Sequence, residues 1–133
     1  MRLTANLAEY IGIPYKDRAR SEDCVDCWGL LCLFYRREFG IDLPEYTTST
    51  PDGAKYVAEV VAGSRVEPVW KRIDSPEYGD VLLFRVQGLP IHCGLSLGDG
   101  EFLHSFPKRD SCIERLDSLS WAKRFDGAYR WKI

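Results

Sequence analysis

The spacing of apolar residues changes once along this chain, and the change separates helices from strands. Near the start, Leu3, Leu7, Tyr10 and Ile11 recur every three to four residues, the period of a short amphipathic helix that ends before Gly12 and Pro14. The run from Cys27 to Phe39 is the strongest helical segment: Asp26 is placed to cap it, apolar residues fill most positions, and Gly40 supplies a stop. So much apolar surface predicts a central, buried helix. Residues 44–53 read as a polar, turn-rich loop, and Ala54 to Val61 as a short helix with Val57, Val60 and Val61 available for packing. From Val69 onward the period becomes two. VWKRI, DVLLFRV, IHCGLSL, EFLHSF, CIERL and GAYRWKI are short runs bounded by Gly, Pro or Asp, which predicts a meandering antiparallel sheet. Only residues 117–124, DSLSWAKR, break the series, with one or two helical turns begun by Asp117 or Ser118. Helices first and strands afterward predict an α+β fold in a single domain, residues 1–133.

Composition narrows the class. With 45% hydrophobic and 29% charged residues, the chain has the make-up of a globular protein. A net charge of -2 gives no broad positive surface, so nucleic acid is not an expected partner. No segment approaches the roughly 20 apolar residues of a membrane span. The opening residues lack the apolar run and cleavage site of a secretory signal, so export by that route is not expected. Five cysteines (Cys24, Cys27, Cys32, Cys93, Cys112) cannot all pair within one chain, so at least one thiol is free.

Candidate chemistry follows from position. A thiol attacks as thiolate, and unpaired N–H groups at a helix start favour that charge; Cys27 sits there. Such a nucleophile needs a base, and the base needs an orienting group. The chain's two histidines, His92 and His104, both fall in one predicted hairpin. A two-residue turn at Asp99-Gly100 would put them on opposite faces of the sheet. A shared site therefore predicts a three- or five-residue connection, with Gly98 or Gly100 in the left-handed region.

Four segments together resemble the NlpC-type family of cell-wall cysteine peptidases. DCWGLLCLFYRREFGIDLP, from Asp26, is similar to that family's nucleophile motif, Asp-Cys-Ser-Gly-Leu-Val followed by a helix and Gly-Ile-x-Leu-Pro. GDVLLFR and then HCGLSLGDGEFLHS resemble its Gly-Asp-hydrophobic segment and its histidine hairpin. The closing SWAKRFDGAYRW is similar to the Trp-x-x-Arg-x-x-Gly-x-x-Arg ending of the branch found in tails of bacteriophages and related particles. The resemblance covers most of residues 8–131 and implies a papain-like fold, with the nucleophile helix packed on the C-terminal antiparallel sheet. It implies that Cys27 attacks a peptide carbonyl, that His92 takes and returns the proton, and that His104 orients His92. It further implies Tyr15, Asp26 and Trp28 as substrate-binding residues, with Trp28 standing where the family usually has serine. Neither metal nor organic cofactor is implied.

The implied substrate is a peptidoglycan stem peptide, and the implied partners are other tail-tip proteins. Such a chain would be made in the bacterial cytoplasm, built into a virion tail, and would act at the host periplasm and cell wall. A structural tail-tip subunit with a minor peptidase site is the alternative. A zinc module built on Cys24 and Cys27, completed by His92, Cys93, His104 or Cys112, is a third reading, but one CxxC without a second tight ligand pair favours it little. Cys32 and Cys112 read as small buried hydrophobes. All the catalytic expectations need the Cys27 sulfur to lie within reach of the His92 imidazole.

Overall fold

The structure is a computed structural model and describes residues 6–16, 21–43, 70–86 and 89–132. The loop expected at 44–53, the helix expected at 54–61, and Leu3 lie outside the described residues.

Among the described residues, one α-helix and six strands form the frame. Helix α1 spans Cys27–Phe39, with Asp26 accepting from the Gly29 N–H and Gly40 closing the helix at φ 67°. A cap of this kind stabilises a helix by about 1 kcal/mol. The strands are β1 (Trp70–Ile73), β2 (Val81–Val86), β3 (Leu89–Gly98), β4 (Glu101–Phe106), β5 (Arg109–Arg115) and β6 (Phe125–Trp131). They make one antiparallel sheet in the order β1-β6-β2-β3-β4-β5. The expected meander holds from β2 to β5, but β6 returns to lie between β1 and β2. The expected first helix is a short 3-10 turn, Leu7–Tyr10, capped by Asn6. After it, residues 10–13 strap onto β5: Gly12 N–H donates to the Ser111 carbonyl, Ser111 N–H to that of Ile13, and Ser111 Oγ to that of Tyr10. The helical turn expected within 117–124 contracts to a 3-10 turn at Ala122–Arg124.

Strand alternation gives the sheet two buried faces. Val81, Leu83, Cys93, Leu95, Leu97 and Leu103 pack with Cys27, Leu30, Leu31 and Phe34 of α1. Leu82, Phe84, Phe102 and Ala128 gather on the other face beneath Trp121. Burying both faces explains why β2 and β3 read as nearly continuous apolar runs.

The β3–β4 hairpin differs from expectation in an instructive way. Its connection is the two-residue turn Asp99-Gly100, with φ 54° and 81°, the left-handed pair that such a turn demands. Parity is corrected inside the strand instead. Leu95 faces Leu103 and Ser96 faces Phe102, yet Gly98 faces Glu101, so Leu97 is an extra residue, a bulge, with Gly98 at φ 84°. That single insertion returns His92 and His104 to one face.

Gly94 lies between them. A Cβ there would stand 3.0 Å from Phe102 Cδ2 and 3.3 Å from both His104 Cβ and the Leu103 carbonyl oxygen. The carbonyl belongs to the paired strand and cannot yield without disturbing it. Gly94→Ala is expected to lower the free energy of unfolding by about 1–3 kcal/mol in urea denaturation. A variant as stable as the parent would show that β3 and β4 do not depend on this gap.

Candidate active site

Asp26, Cys27 and Trp28 are set by the start of α1. Asp26 is almost fully buried and spends a carboxylate oxygen on the Gly29 N–H at 2.7 Å, which makes it a helix cap. Trp28 is a correction to the sequence reading. It is fully buried, edge-on to Trp70, and belongs to the core, because the second helical position turns inward toward the sheet. It offers a substrate no surface here. Tyr15 is half-buried and reaches the helix start through a parallel bridge to Val25, in which Val25 N–H donates to the Pro14 carbonyl and Lys16 N–H to that of Val25.

The two histidines meet directly. His92 Nε2 lies 2.8 Å from His104 Nδ1, and His104 Nε2 lies 2.8 Å from a Glu114 carboxylate oxygen. Aromatic rings enclose the pair, with Trp121 centred 5.3 Å from His92 and 4.9 Å from His104, and Phe84 and Phe106 beside His92. Burial in this apolar shell holds the His92 imidazole well below its ordinary pKa of 6.5, helped by His104 and by Arg124. His104 is lowered too, by burial against the opposing pull of Glu114. Burial pushes Glu114 upward, but the hydrogen bond and charge of His104 prevail and leave its carboxyl below the ordinary 4.5.

Cys27 stands differently from expectation. Its buried thiol is in hydrogen-bond contact with the thiol of Cys93, the residue directly after His92. Leu83 pairs with Cys93 and Phe84 with His92, so Cys93 shares the α1 face while His92 shares the face of Phe84 and Trp121. Strand alternation is the cause: the apolar position of the pair turns toward the helix, and the imidazole turns away. Of the three expected catalytic residues the structure brings two together, His92 and His104, and sets the third against the strand of His92, on its other face. Burial, then Cys27, pushes the Cys93 thiol well above the ordinary 9.0. All five cysteines are free.

Glu114 is a site residue that no sequence pattern singles out, since an acid in CIERL is ordinary for a half-exposed strand. Its signal is register: it lies opposite Phe102 on β5, diagonal to His104. Among the described residues, His104, Cys112 and Glu114 also bring ligand-type atoms within 4.8 Å of one another. That set excludes Cys24 and Cys27, unlike the zinc module considered from sequence. Its carboxylate is already engaged by His104, and burial, with Glu114, raises the pKa of the Cys112 thiol.

The residues that build this site also mark its kinship. The model of the NlpC/P60 family matches residues 12–130, and the chain belongs to that family. Murein DD-endopeptidase MepS/Murein LD-carboxypeptidase of Escherichia coli K12 is 24% identical over 129 residues, which cover 97% of this chain and 61% of that protein. A probable endopeptidase NlpC homolog of Haemophilus influenzae is 22% identical over 92% of this chain and 57% of its own length. The chain thus spans about six-tenths of the curated relatives it matches. Among solved structures, the NlpC/p60 domain of peptidoglycan hydrolase SagA superimposes with a TM-score of 0.63 at 20% identity, covering 92% of this chain and 91% of that one. An NlpC/P60 family protein from Bacillus cereus gives 0.68 at 24% identity, covering 93% and 37%. These matches establish the papain-like α+β fold.

Two buried, neutral imidazoles make stability depend on pH. Both bind protons more readily in the unfolded chain, so their contribution is present above the ordinary value of 6.5 and is lost as pH falls through it. Glu114 acts in the same direction, but only lower, around and below 4.5. The free energy of unfolding is expected to fall between about pH 7.5 and about pH 5.5, and His92→Gln to flatten that slope. Urea denaturation across this range is the measurement, and a flat parent profile would contradict the burial of the pair.

Proposed function

We propose that this chain is a cysteine-type peptidoglycan endopeptidase domain that hydrolyses stem peptides. The supporting observation is the His92–His104 contact on the strand that the Cys27 thiol touches one residue further along. The relative named as a murein DD-endopeptidase supports peptidoglycan as the substrate class. In this reading the first turn of α1 offers N–H groups to the oxyanion. The sulfur attacks the peptide carbonyl, His92 accepts the thiol proton and later delivers it to the leaving amine, and water releases the acyl group. In this structure the Cys27 sulfur faces Cys93 while the His92 imidazole turns to the other face of β3, so this transfer is the step that the Cys27 and His92 variants test.

The finer reading places the domain in the tail of a phage or tail-like particle, assembled with other tail-tip proteins and opening the host wall during genome delivery. Its support is the closing segment, Trp121, Arg124, Gly127 and Arg130, which is similar to the tail-associated ending. The turn of Cys27 toward Cys93 also favours a second reading, a structural tail-tip subunit whose peptidase site is minor.

Cys27→Ala and His92→Gln are expected to reduce release of muropeptides from purified sacculi to background, Cys27→Ala while leaving the melting temperature near that of the parent. Mass spectrometry of products from defined stem peptides identifies the bond. Undiminished release by folded Cys27→Ala would end the enzymatic assignment; particles that assemble with Cys27→Ala but not after deletion of the domain would favour the structural one.

A further inference from the structure

We propose that Glu114 is a positioning residue that fixes which nitrogens of His92 and His104 carry protons, and so leaves Nδ1 of His92 as the bare, basic nitrogen. The inference rests on the peptidase reading only for its catalytic consequence; the proton arrangement stands on geometry.

An ionised carboxylate accepts hydrogen bonds and donates none. With Glu114 at 2.8 Å, His104 must therefore place its proton on Nε2, which leaves its Nδ1 with a lone pair. That lone pair faces His92 Nε2 at 2.8 Å, so His92 donates from Nε2 and keeps its proton there. A neutral imidazole carries one ring proton, so Nδ1 of His92 is bare. Each link follows from the one before, and the chain starts at a single carboxylate. Without it, His104 could hold its proton on either nitrogen, and the His92 tautomer would divide between two forms.

The surroundings keep Glu114 in this role. The Cys112 thiol donates to the same carboxylate oxygen at 3.8 Å, and Arg109 Nη1 stands 4.0 Å from it. Across the sheet face, Arg124 beside His92 disfavours a second ring proton there. Trp121 covers both imidazoles and keeps water from competing for their nitrogens.

The test is a long-range proton–nitrogen NMR spectrum of protein labelled with 15N-histidine, which reads the tautomer of each ring without turnover. The parent is expected to show protons on Nε2 of both histidines. Glu114→Ala is expected to give mixed tautomers, with kcat lower by about 10- to 100-fold and KM within about twofold. Glu114→Gln, whose amide oxygen also accepts, is expected to fall between the two. A parent spectrum with the His104 proton on Nδ1, or tautomers unchanged in Glu114→Ala, would overturn the proposal. Should Glu114→Ala fail to fold, the parent spectrum alone decides. The expected tautomers in a protein that releases nothing from sacculi would sink the peptidase reading and leave the role of Glu114 standing.

Discussion

The site depends on parity along β3. In a sheet buried on both faces, each residue is committed to one side, and a shift of one position would move every side chain of the strand to the other. Leu97 is the residue that settles the count. Its bulge lets a tight Asp99-Gly100 turn coexist with two histidines on the same face, and everything beyond the bulge inherits that choice. Gly94 leaves room for His104, Phe102 and Trp121 wall the pair, and the diagonal across β4 and β5 brings Glu114 to His104. The same parity sends Cys93 to the helix side, where it meets Cys27.

The closing motif is explained largely by the work its residues do in the fold. Trp121 covers the imidazoles, and Arg124 lies over its indole at 5.1 Å. Gly127 makes room for the Arg72 guanidinium, which a Cβ would meet at 2.8 Å. Arg130 grips the buried Asp80 with two hydrogen bonds, at 2.8 and 2.9 Å, joining the last strand to the Gly-Asp segment ahead of β2. Such forked pairs fix direction as well as distance. The Gly-Asp segment and the closing segment thus hold each other.

Much of this was legible in the sequence, and the gaps have physical reasons. Helix α1 could be read to the residue because its cap, apolar filling and glycine stop all agree. All six strand runs became strands, since period two and turn residues are local signals. The insertion of β6 between β1 and β2 was not legible, because strand order is set by long-range pairing that no local pattern carries. The histidines' shared face followed from their chemistry, but the means did not: an odd loop and a bulge correct parity equally well, and only backbone geometry chooses. Trp28 looked like a site residue because of its neighbour in the chain, whereas a helix turns adjacent residues to different surroundings. Glu114 became visible only once β5 was in register beside β4.

The strap of residues 10–13 along β5 has a consequence for assembly. Outermost strands invite strangers, because their peptide groups point outward with nothing to bind. Here the chain's own leading segment has taken the seat beside β5, using Ser111 as the fastener. A neighbouring molecule that lengthened the sheet from that side would first have to peel the segment away, and with it Tyr10 from the core. At Ser111, at least, a seventh strand would find the place already taken.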